Sequence, residues 1–440
     1  MSLPKLRAAG VVVALAALLT GCATGGHGEP RPTVGDVVRV PGDVPTISEA
    51  AEAVHEGGMI LVSPGVYTES VLIDTPDVTL RGTDRNAVII DGEGLRANGV
   101  QVIADGVRVE NLTVRNHTFN GVLVTGMHDE NGPQAHNLDG YEGLDPDRYP
   151  PLKRFSVSHV TASNNGLYGI YAFDSHDGVI SDNYASGSAD SGFYVGQCSQ
   201  CGILVTRNVA ENNAIGYENA NASDSVVVTG NRFTGNRVGA TLISSYQEAF
   251  LPQQAVSFVG NLLSANVSAA SPAQAAGAFG LGLGIAGGHD NVIRNNRIES
   301  NSVAGIQLTN TEDIAATGNR LTGNVFGSNG VDVADISAPR TPSTGTCIDP
   351  AAGIRLLPAT LGSTCDGAGP EAPADPAALP QVEVPDGISF LKVAAGPEQP
   401  SMEGDVNEVP DRLPDTVTMP DLDAIAVPEP SLLADRAVAG

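Results

Sequence analysis

A phenol, a carboxylate and an imidazole lie within six consecutive positions of the chain, at Tyr171, Asp174 and His176. Each of these groups can donate or accept a proton in general acid–base catalysis. A nearby cation would assist such a reaction, because negative charge that develops must be stabilised electrostatically. Lys153 and Arg154 are the closest preceding basic residues, and we therefore include them among the candidate catalytic residues.

These candidates fall inside a regular repeat. The glycines Gly169, Gly192, Gly216 and Gly239 are 23, 24 and 23 residues apart, and each precedes a short run of apolar or β-branched residues. A period of this length indicates stacked units that cannot bury an apolar face alone. Short β-branched runs between polar corners are typical of strands. The sequence therefore predicts an all-β fold, a single-stranded parallel β-helix.

Stacking would align equivalent positions of successive coils at about 4.8 Å. The second residue after each glycine is expected to point outward, which forms a column of Tyr171, Tyr194 and Glu218. We interpret the two tyrosines as an aromatic platform for a sugar ring, with Glu218 as a further substrate-binding residue. The alternative is that the tyrosines pack beneath an insertion at about residues 127–155.

Polar residues at the corners of the coils allow two interpretations. Gln197 and Asn221 have comparable offsets from their glycines, so they could bind substrate in a groove across the coils or could be hydrated corners. Asn183, Asn208 and Asn231 each follow an apolar run. We interpret these three as a ladder of stacked amides with a structural role.

The N-terminal part of the repeat has a distinct pattern. Thr46 can cap a short helix from Ile47 to about His55, and a strand, the turn Pro64-Gly65-Val66-Tyr67 and the run Glu69–Ile73 follow. This order resembles the entry segment of pectate-lyase-like and pectinesterase-like right-handed β-helix proteins. The resemblance implies a right-handed coil over residues 39–340. The helix would cap its N-terminal end and block edge-to-edge pairing.

The stretch YAFDSHD, which contains Tyr171, Asp174 and His176, resembles the catalytic segment of alginate C5-epimerases, which are also β-helix enzymes. The resemblance implies that these three residues abstract and return the C5 proton of a uronate, while a lysine or arginine neutralises its carboxylate. Ser175 stands where that family has a proline, and the family's glycine-rich calcium-binding repeats are absent. Ca²⁺ is retained as a candidate cofactor, because a bound cation could admit an acidic sugar.

Four cysteines follow the N-terminal region. Cys198 with Cys201 and Cys347 with Cys365 are the closest pairs, and we expect them as disulfides outside the cytoplasm, although three connectivities are possible. Cys198-x-x-Cys201, one coil from His176, also permits a copper or zinc site. The chain in addition resembles NosD-type β-helix proteins, which are linked to copper-site maturation. No fourth ligand is visible, and no metal site is assigned.

The first 22 residues are typical of an export signal. A basic start precedes the apolar run Ala8–Leu19, and Leu19-Thr20-Gly21-Cys22 resembles the bacterial lipobox. The resemblance implies cleavage before Cys22 and lipidation of that residue, with residues 23–38 as a tether. We therefore expect an extracytoplasmic protein that is anchored to the bacterial cell membrane.

The remaining segments depart from the repeat. Insertions are expected at about residues 127–155 and 244–282, and residues 341–366 are predicted to form a disulfide-closed cap or loop. Residues 367–440 are rich in Pro, Ala and acidic side chains, a composition that favours a largely extended or disordered tail. The net charge of −27 and the lack of a basic stripe argue against nucleic acid as a partner.

The leading hypothesis is a monomeric, lipid-anchored β-helix protein that binds a polysaccharide from the cell envelope or the environment. If it is an enzyme, lyase or epimerase chemistry on a uronate would be its activity. One alternative is a non-enzymatic structural or interaction module with a cell-envelope partner, and a second is a copper-handling accessory protein. The lack of P-loop, G-x-S-x-G and HExxH motifs excludes the usual nucleotide, serine-hydrolase and zinc-protease sites.

Overall fold

The computed structural model describes residues 36–129, 132–133, 144–349, 353–361 and 372–438. The predicted signal peptide, the lipidation site Cys22 and most of the tether lie outside these residues. No helix in the described ranges is long and apolar enough to cross a membrane.

The described part of the chain consists mainly of short parallel strands. One sheet contains twenty strands, a second contains eleven, and the chain passes repeatedly between the two. Apart from one two-stranded antiparallel sheet, the strands pair in parallel with the equivalent strands of neighbouring coils; for example, Tyr171 lies opposite Tyr194. This arrangement is a parallel β-helix, which confirms the predicted fold class.

The elements of the N-terminal half are β1 (Val37–Val40), α1 (Ile47–Ala53), β2 (Met59–Val62), β3 (Gly65–Tyr67), β4 (Val71–Ile73), β5 (Thr79–Gly82), β6 (Val88–Asp91), β7 (Val100–Val102), β8 (Arg108–Arg115), β9 (Val122–Thr125), β10 (His128–Asp129), β11 (Gly132–Pro133), β12 (Leu152–Ser163), β13 (Ile170–Phe173), β14 (Ser175–Ser181), β15 (Tyr184–Ser186), β16 (Ser191–Ser199), β17 (Ile203–Thr206), β18 (Val209–Glu211) and β19 (Ile215–Ser223). The later strands are β20 (Val226–Thr229), β21 (Arg232–Thr234), β22 (Val238–Ile243), β23 (Ser257–Val259), β24 (Leu262–Ser264), β25 (Leu281–Ala286), β26 (Val292–Arg294), β27 (Arg297–Glu299), β28 (Ala304–Thr309), β29 (Arg320–Thr322), β30 (Val325–Gly327), β31 (Val331–Asp335), β32 (Cys347–Ile348) and β33 (Leu356–Leu357).

The register places equivalent residues in columns. The column that contains Tyr171 continues through Tyr194, Glu218, Thr241 and Gly284. The inward-facing neighbours in the first two of these coils are Ile170, Ala172, Phe193 and Val195. They belong to one apolar core that extends through the solenoid. The alternation that was expected after each repeat glycine is therefore confirmed.

A ladder of asparagines stabilises one corner. Asn183 Nδ2 donates to Asn208 Oδ1 at 3.0 Å, and Asn208 Nδ2 donates to Asn231 Oδ1 at 3.0 Å. The ladder continues through Asn261, Asn296 and Asn324. The amides also bond the main chain, as Asn208 does by donating to Ile180 O at 2.9 Å. The structural interpretation of these residues is confirmed, because each buried amide has its partners.

Helix α1 packs against β1, β2 and β4 near the N-terminal end of the solenoid. Thr46 Oγ1 accepts a hydrogen bond from Glu49 N at 3.1 Å. The Glu69 carboxylate accepts from the main-chain nitrogens of Ile47 and Ser48, at 3.0 and 2.9 Å. The first turn is thus capped by a neighbour in sequence and by a residue of the following coil.

The solenoid differs from its expected bounds at two places. Strand β12 begins at Leu152, so Lys153 and Arg154 belong to the sheet and not to the insertion. Farther on, β32 pairs in parallel with β29, and β33 pairs with β31. Residues within the predicted cap at 341–366 therefore continue the coil. Strands of two residues are too short to produce a periodic signal.

Described residues 372–438 contain no strand and run along the solenoid as an extended tail with four short 3-10 turns. Several arginines of the solenoid donate hydrogen bonds to main-chain oxygens of this tail. These arginines are Arg81, Arg85, Arg108, Arg232, Arg237, Arg294 and Arg297. In return, Arg436 of the tail donates to the main-chain oxygens of Asp182 and Arg207. These contacts hold the described part of the tail in an extended path along the solenoid.

Candidate functional site

The predicted aromatic platform is enclosed. Only 4% of Tyr171 and 2% of Tyr194 is exposed, and the two rings meet edge to face with centroids 4.7 Å apart. They pack with Met127 and Tyr149 from the first insertion. The prediction of a free platform is therefore wrong, and the alternative of packing beneath the insertion is correct. The rings leave the sheet on its outer face, but a second layer of chain covers them.

Asp174 occupies the corner between β13 and β14. Its φ of 51° lies in the left-handed region, and only 1% of the residue is exposed. No described residue hydrogen-bonds its Oδ2 atom, and burial raises the pKa of the carboxyl group to about 7. Because β13 and β14 belong to different sheets, Tyr171 and His176 lie on different sides of this corner. The structure does not assemble these three residues in one open groove.

Lys153, but not Arg154, lies beside one of these residues. Lys153 is opposite His176 in the pairing of β12 with β14, and its side chain is exposed. Burial lowers the pKa of His176; the charge of Asp177 opposes this shift and that of Lys153 adds to it. Arg154 instead donates to Asp77 Oδ1 at 2.5 Å. The prediction that Arg154 neutralises a substrate near Asp174 is therefore wrong.

Three residues that were predicted to bind substrate hold a loop, residues 245–250, against the solenoid. Asn221 Nδ2 donates to two main-chain oxygens of the loop, at 2.7 and 2.9 Å. Gln197 Oε1 accepts from a loop nitrogen at 3.0 Å, and the Tyr194 hydroxyl donates to the Glu248 carboxylate. These side chains are buried. They lie beneath the loop, so they position it and are not available for contact with a substrate.

A groove of about 590 Å³ opens on the outer face of the eleven-stranded sheet. Residues 244–247 and the 274–278 segment also line it. Both segments come from the second predicted insertion. The floor follows the column beyond Tyr194, through Glu218, Thr241, Gly284 and Gln307. Of the predicted site residues, Glu218 is the one that lies in this groove.

Two carboxyl groups meet in the groove. The Ser191 hydroxyl donates to Glu218 Oε2 at 2.5 Å and lies 3.5 Å from Asp190 Oδ1. Burial, followed by the charge of Asp190, raises the pKa of Glu218 well above its usual range, and burial also raises the pKa of Asp190. Two adjacent carboxyl groups cannot both ionise easily. We therefore expect one of them to hold a proton near neutral pH.

Tyr168 lies beside this pair. It is half-buried, and its ring centroid lies 4.5 Å from that of Tyr171 and 4.7 Å from that of Tyr194. Burial, followed by the charges of Glu218 and Asp190, raises its pKa. Tyr168 and Asp190 were both missed in the sequence. Each precedes a repeat glycine, whereas the expected alternation was counted from the glycine onward.

The described cysteines are oxidised. Cys198 and Cys201 form a disulfide and are fully buried, so they offer no thiolate to a metal. Cys347 is also disulfide-bonded, whereas Cys365 lies outside the described residues. In the described ranges, no group of three or more His, Cys, Asp or Glu side chains could hold a metal ion. No ligand set for Ca²⁺ or copper is therefore assigned.

Comparisons with known proteins agree with the fold. The family described as "right handed beta helix region" matches residues 94–262. No curated protein matches the chain.

Solved structures are similar at low sequence identity. The A-module of mannuronan C-5 epimerase AlgE6 from Azotobacter vinelandii has a TM-score of 0.47 and 14% identity, over 73% of this chain and 90% of that chain. DFA-IIIase from Arthrobacter chlorophenolicus A6 has a TM-score of 0.44 and 13% identity, over 71% of this chain and 89% of that chain. Pectate lyase Pel9A has a TM-score of 0.37 and 12% identity, over 73% of this chain and 75% of that chain. Such likenesses concern the fold alone.

Proposed function

We propose that this right-handed parallel β-helix protein binds a polysaccharide in the groove and cleaves its glycosidic bonds with Glu218 and Asp190. One observation carries the proposal: both carboxyl groups lie against the Ser191 hydroxyl inside the groove. Glycosidic cleavage commonly uses one protonated and one ionised carboxyl group beside the scissile bond. The pair offers these two states.

Glu218 is the proposed acid. Because burial and Asp190 raise its pKa, it keeps its proton near neutral pH and donates it to the glycosidic oxygen as the bond to the anomeric carbon breaks. Asp190 attacks that carbon, and water, deprotonated by Glu218, then releases the sugar. Contact with one shared hydroxyl favours this retaining route, since inverting enzymes hold their carboxyl groups about 6.5–9.5 Å apart.

The groove also suits a repeating polymer. Tyr246 lines the groove and is 37% exposed, so it offers an aromatic surface to a sugar. Gly284 has no side chain to fill the floor of the groove. Gln307 and Thr309 offer polar groups that can form hydrogen bonds with sugar hydroxyls. Successive coils present these positions at about 4.8 Å intervals. The groove can therefore contact several sugars of one chain.

The test is incubation of the full-length protein with neutral, acidic and amino-sugar polysaccharides, followed by measurement of new reducing ends. Glu218→Gln and Asp190→Asn are each expected to lower cleavage about 10²- to 10⁴-fold. Glu52→Gln, which changes an exposed glutamate of α1, is the matched control and should keep wild-type activity. Binding without cleavage would favour the non-enzymatic module, and a lack of binding to every polymer would refute the proposal.

Uronate lyase or epimerase chemistry at Tyr171, Asp174 and His176 has less geometric support. Tyr171 and Asp174 are enclosed and do not line the groove, whereas Glu218 and the more exposed Asp190 line it. Exchange of the C5 proton of alginate, or formation of an unsaturated product, would detect this chemistry. Its loss in His176→Ala together with its retention in Glu218→Gln would favour the uronate reaction over the glycosidase reaction.

We also propose that the protein is exported and anchored through a lipid on Cys22. The disulfide between Cys198 and Cys201 supports an oxidising compartment. Membrane fractionation of wild type and Cys22→Ser is the test. The wild type should be found with membranes and the variant in the soluble fraction, and equal partitioning of the two would contradict the proposal.

A further inference from the structure

We infer that the groove selects a polysaccharide whose sugars carry free amino groups, which are cationic in weak acid and remain partly protonated at neutral pH. The inference rests on the proposed function, because it concerns the same groove. Its basis is the charge of the residues along the path of the polymer, from the Asp190–Glu218 pair to the surface beyond Tyr246.

Acidic groups continue beyond the proposed catalytic pair. Glu312 also lines the groove, and a second depression of about 530 Å³ is lined by Tyr246, Glu312, Asp313 and Arg340. Tyr246 and Glu312 line both depressions, so the two adjoin along one path. The path is lined by four carboxyl groups, those of Asp190, Glu218, Glu312 and Asp313. Among the described residues that line it, Arg340 supplies the single guanidinium.

The two outer carboxylates, those of Glu312 and Asp313, are accessible from solvent. The Tyr246 hydroxyl donates to Asp313 Oδ1 at 2.5 Å, and this hydrogen bond is the main cause of a lowered pKa of Asp313. Glu312 and Asp313 are both exposed, so a ligand can reach both side chains from solvent. Their field reaches the groove at low ionic strength and is screened beyond roughly 10 Å at 0.1 M salt.

The aromatic side chain of Tyr246, which lies on this path, also favours a cationic sugar. Tyr246 is 37% exposed and stands between the groove and the outer carboxylates. Aromatic rings and carboxylates both attract ammonium groups. A uronate would meet like charges along the path, and a neutral sugar would gain little from Glu312 or Asp313. An amino sugar is the class that uses the whole path.

The experiment compares three polymers of different charge. Soluble chitosan is the amino polymer, N-acetylglucosamine oligomers are the matched neutral ligand, and alginate is the acidic polymer. Affinities are measured with full-length Glu218→Gln, so that cleavage does not consume the ligand, at about 20 mM and about 500 mM salt. Chitosan should bind at least about tenfold more tightly than the neutral oligomers at low salt, and this advantage should shrink at high salt.

Two additional substitutions test the outer carboxylates. Glu312→Gln with Asp313→Asn, added to Glu218→Gln, should reduce the advantage of chitosan to about threefold, while neutral binding changes less than about twofold. The matched control is Glu52→Gln with Asp74→Asn, which removes two exposed charges far from the groove in sequence. This control should leave the advantage unchanged.

The outcomes separate the inference from the proposed function. Tighter binding of the neutral oligomers or of alginate, or an advantage of chitosan that stays at its original size after both outer carboxylates are removed, would overturn the inference. If the wild type cleaves a neutral polymer, Glu218→Gln does not, and chitosan has no binding advantage, the proposed function stands and the selectivity inference fails. If no polymer is bound or cleaved, both fail.

Discussion

Arg85 and Pro400 are joined by a hydrogen bond across 315 positions of the chain, from Arg85 Nη1 to Pro400 O at 3.0 Å. The guanidinium is fully buried and also donates to Val160 O at 2.9 Å and to Thr161 Oγ1 at 3.0 Å. Burial lowers the pKa of Arg85 to about 9, so the group is still a cation near neutral pH. One side chain thus links several coils to the tail.

Arg85→Ala should lower the free energy of unfolding by about 3 to 5 kcal/mol, because buried carbonyl groups lose their donors and a cavity remains. Urea unfolding would measure the loss, and limited proteolysis would report release of the tail near Pro400. Arg39→Ala, at an exposed site in β1, should change stability by less than about 0.5 kcal/mol. Similar effects of the two substitutions would contradict the structural role of Arg85.

Asn208→Ala should remove a central rung of the asparagine ladder. The variant leaves Asn183 and Ile180 without their partner, and we expect a loss of about 2 to 4 kcal/mol. Thermal and urea unfolding are the measurements. Asn407→Ala changes an exposed amide of the tail and should be nearly neutral. A loss below about 1 kcal/mol in Asn208→Ala would show that the ladder contributes little.

Asn221→Ala should loosen the 245–250 loop without unfolding the solenoid. The substitution removes the two hydrogen bonds that this amide donates to the loop, at a cost of about 1 to 2 kcal/mol. Faster proteolysis within the loop and weaker polysaccharide binding are the expected results. Asn86→Ala removes a contact with the tail at Gln399 and should leave loop cleavage unchanged. Unaltered loop cleavage in Asn221→Ala would count against this role.

Glu248 should make the protein less stable as the pH rises. Burial raises its pKa from 4.5 to about 8 in the folded state. A carboxyl group with a raised folded-state pKa contributes its full stability below about 4.5, and this contribution is lost as the pH rises through about 8. Urea midpoints between about pH 5 and pH 9 should therefore fall less steeply for Glu248→Gln than for the wild type. Equal slopes would exclude this assignment.

Periodicity predicted the column that contains Tyr171, Tyr194 and Glu218, because the strand repeat fixes the direction of each side chain. It did not predict which members of the column are covered. The insertions that cover the tyrosines and frame the groove were recognised by their composition, but their path is set by contacts such as those of Asn221 with the loop. Such contacts have no period in the sequence.

Asp190, Tyr168 and the path of the tail illustrate two different limits. Asp190 and Tyr168 lie just before the repeat glycines, at corners of the coil. The alternation of side chains along a strand does not define the geometry of these corners. The tail is placed by bonds such as Arg232 to Pro430 O, 198 positions apart. A Pro- and acid-rich composition gives no local sign that carbonyl groups will meet buried guanidinium groups.

The tail also changes the order in which the molecule can be completed. A repeat protein can usually form coil by coil, because each repeat contacts only its neighbours. Here Arg81 and Arg85 of the early coils take partners from residues made more than 300 positions later. Until that distant segment has docked, those guanidinium groups lack these carbonyl partners. A chain that lacks the tail would therefore leave unpaired donors in the early coils, more than 300 positions from the missing residues.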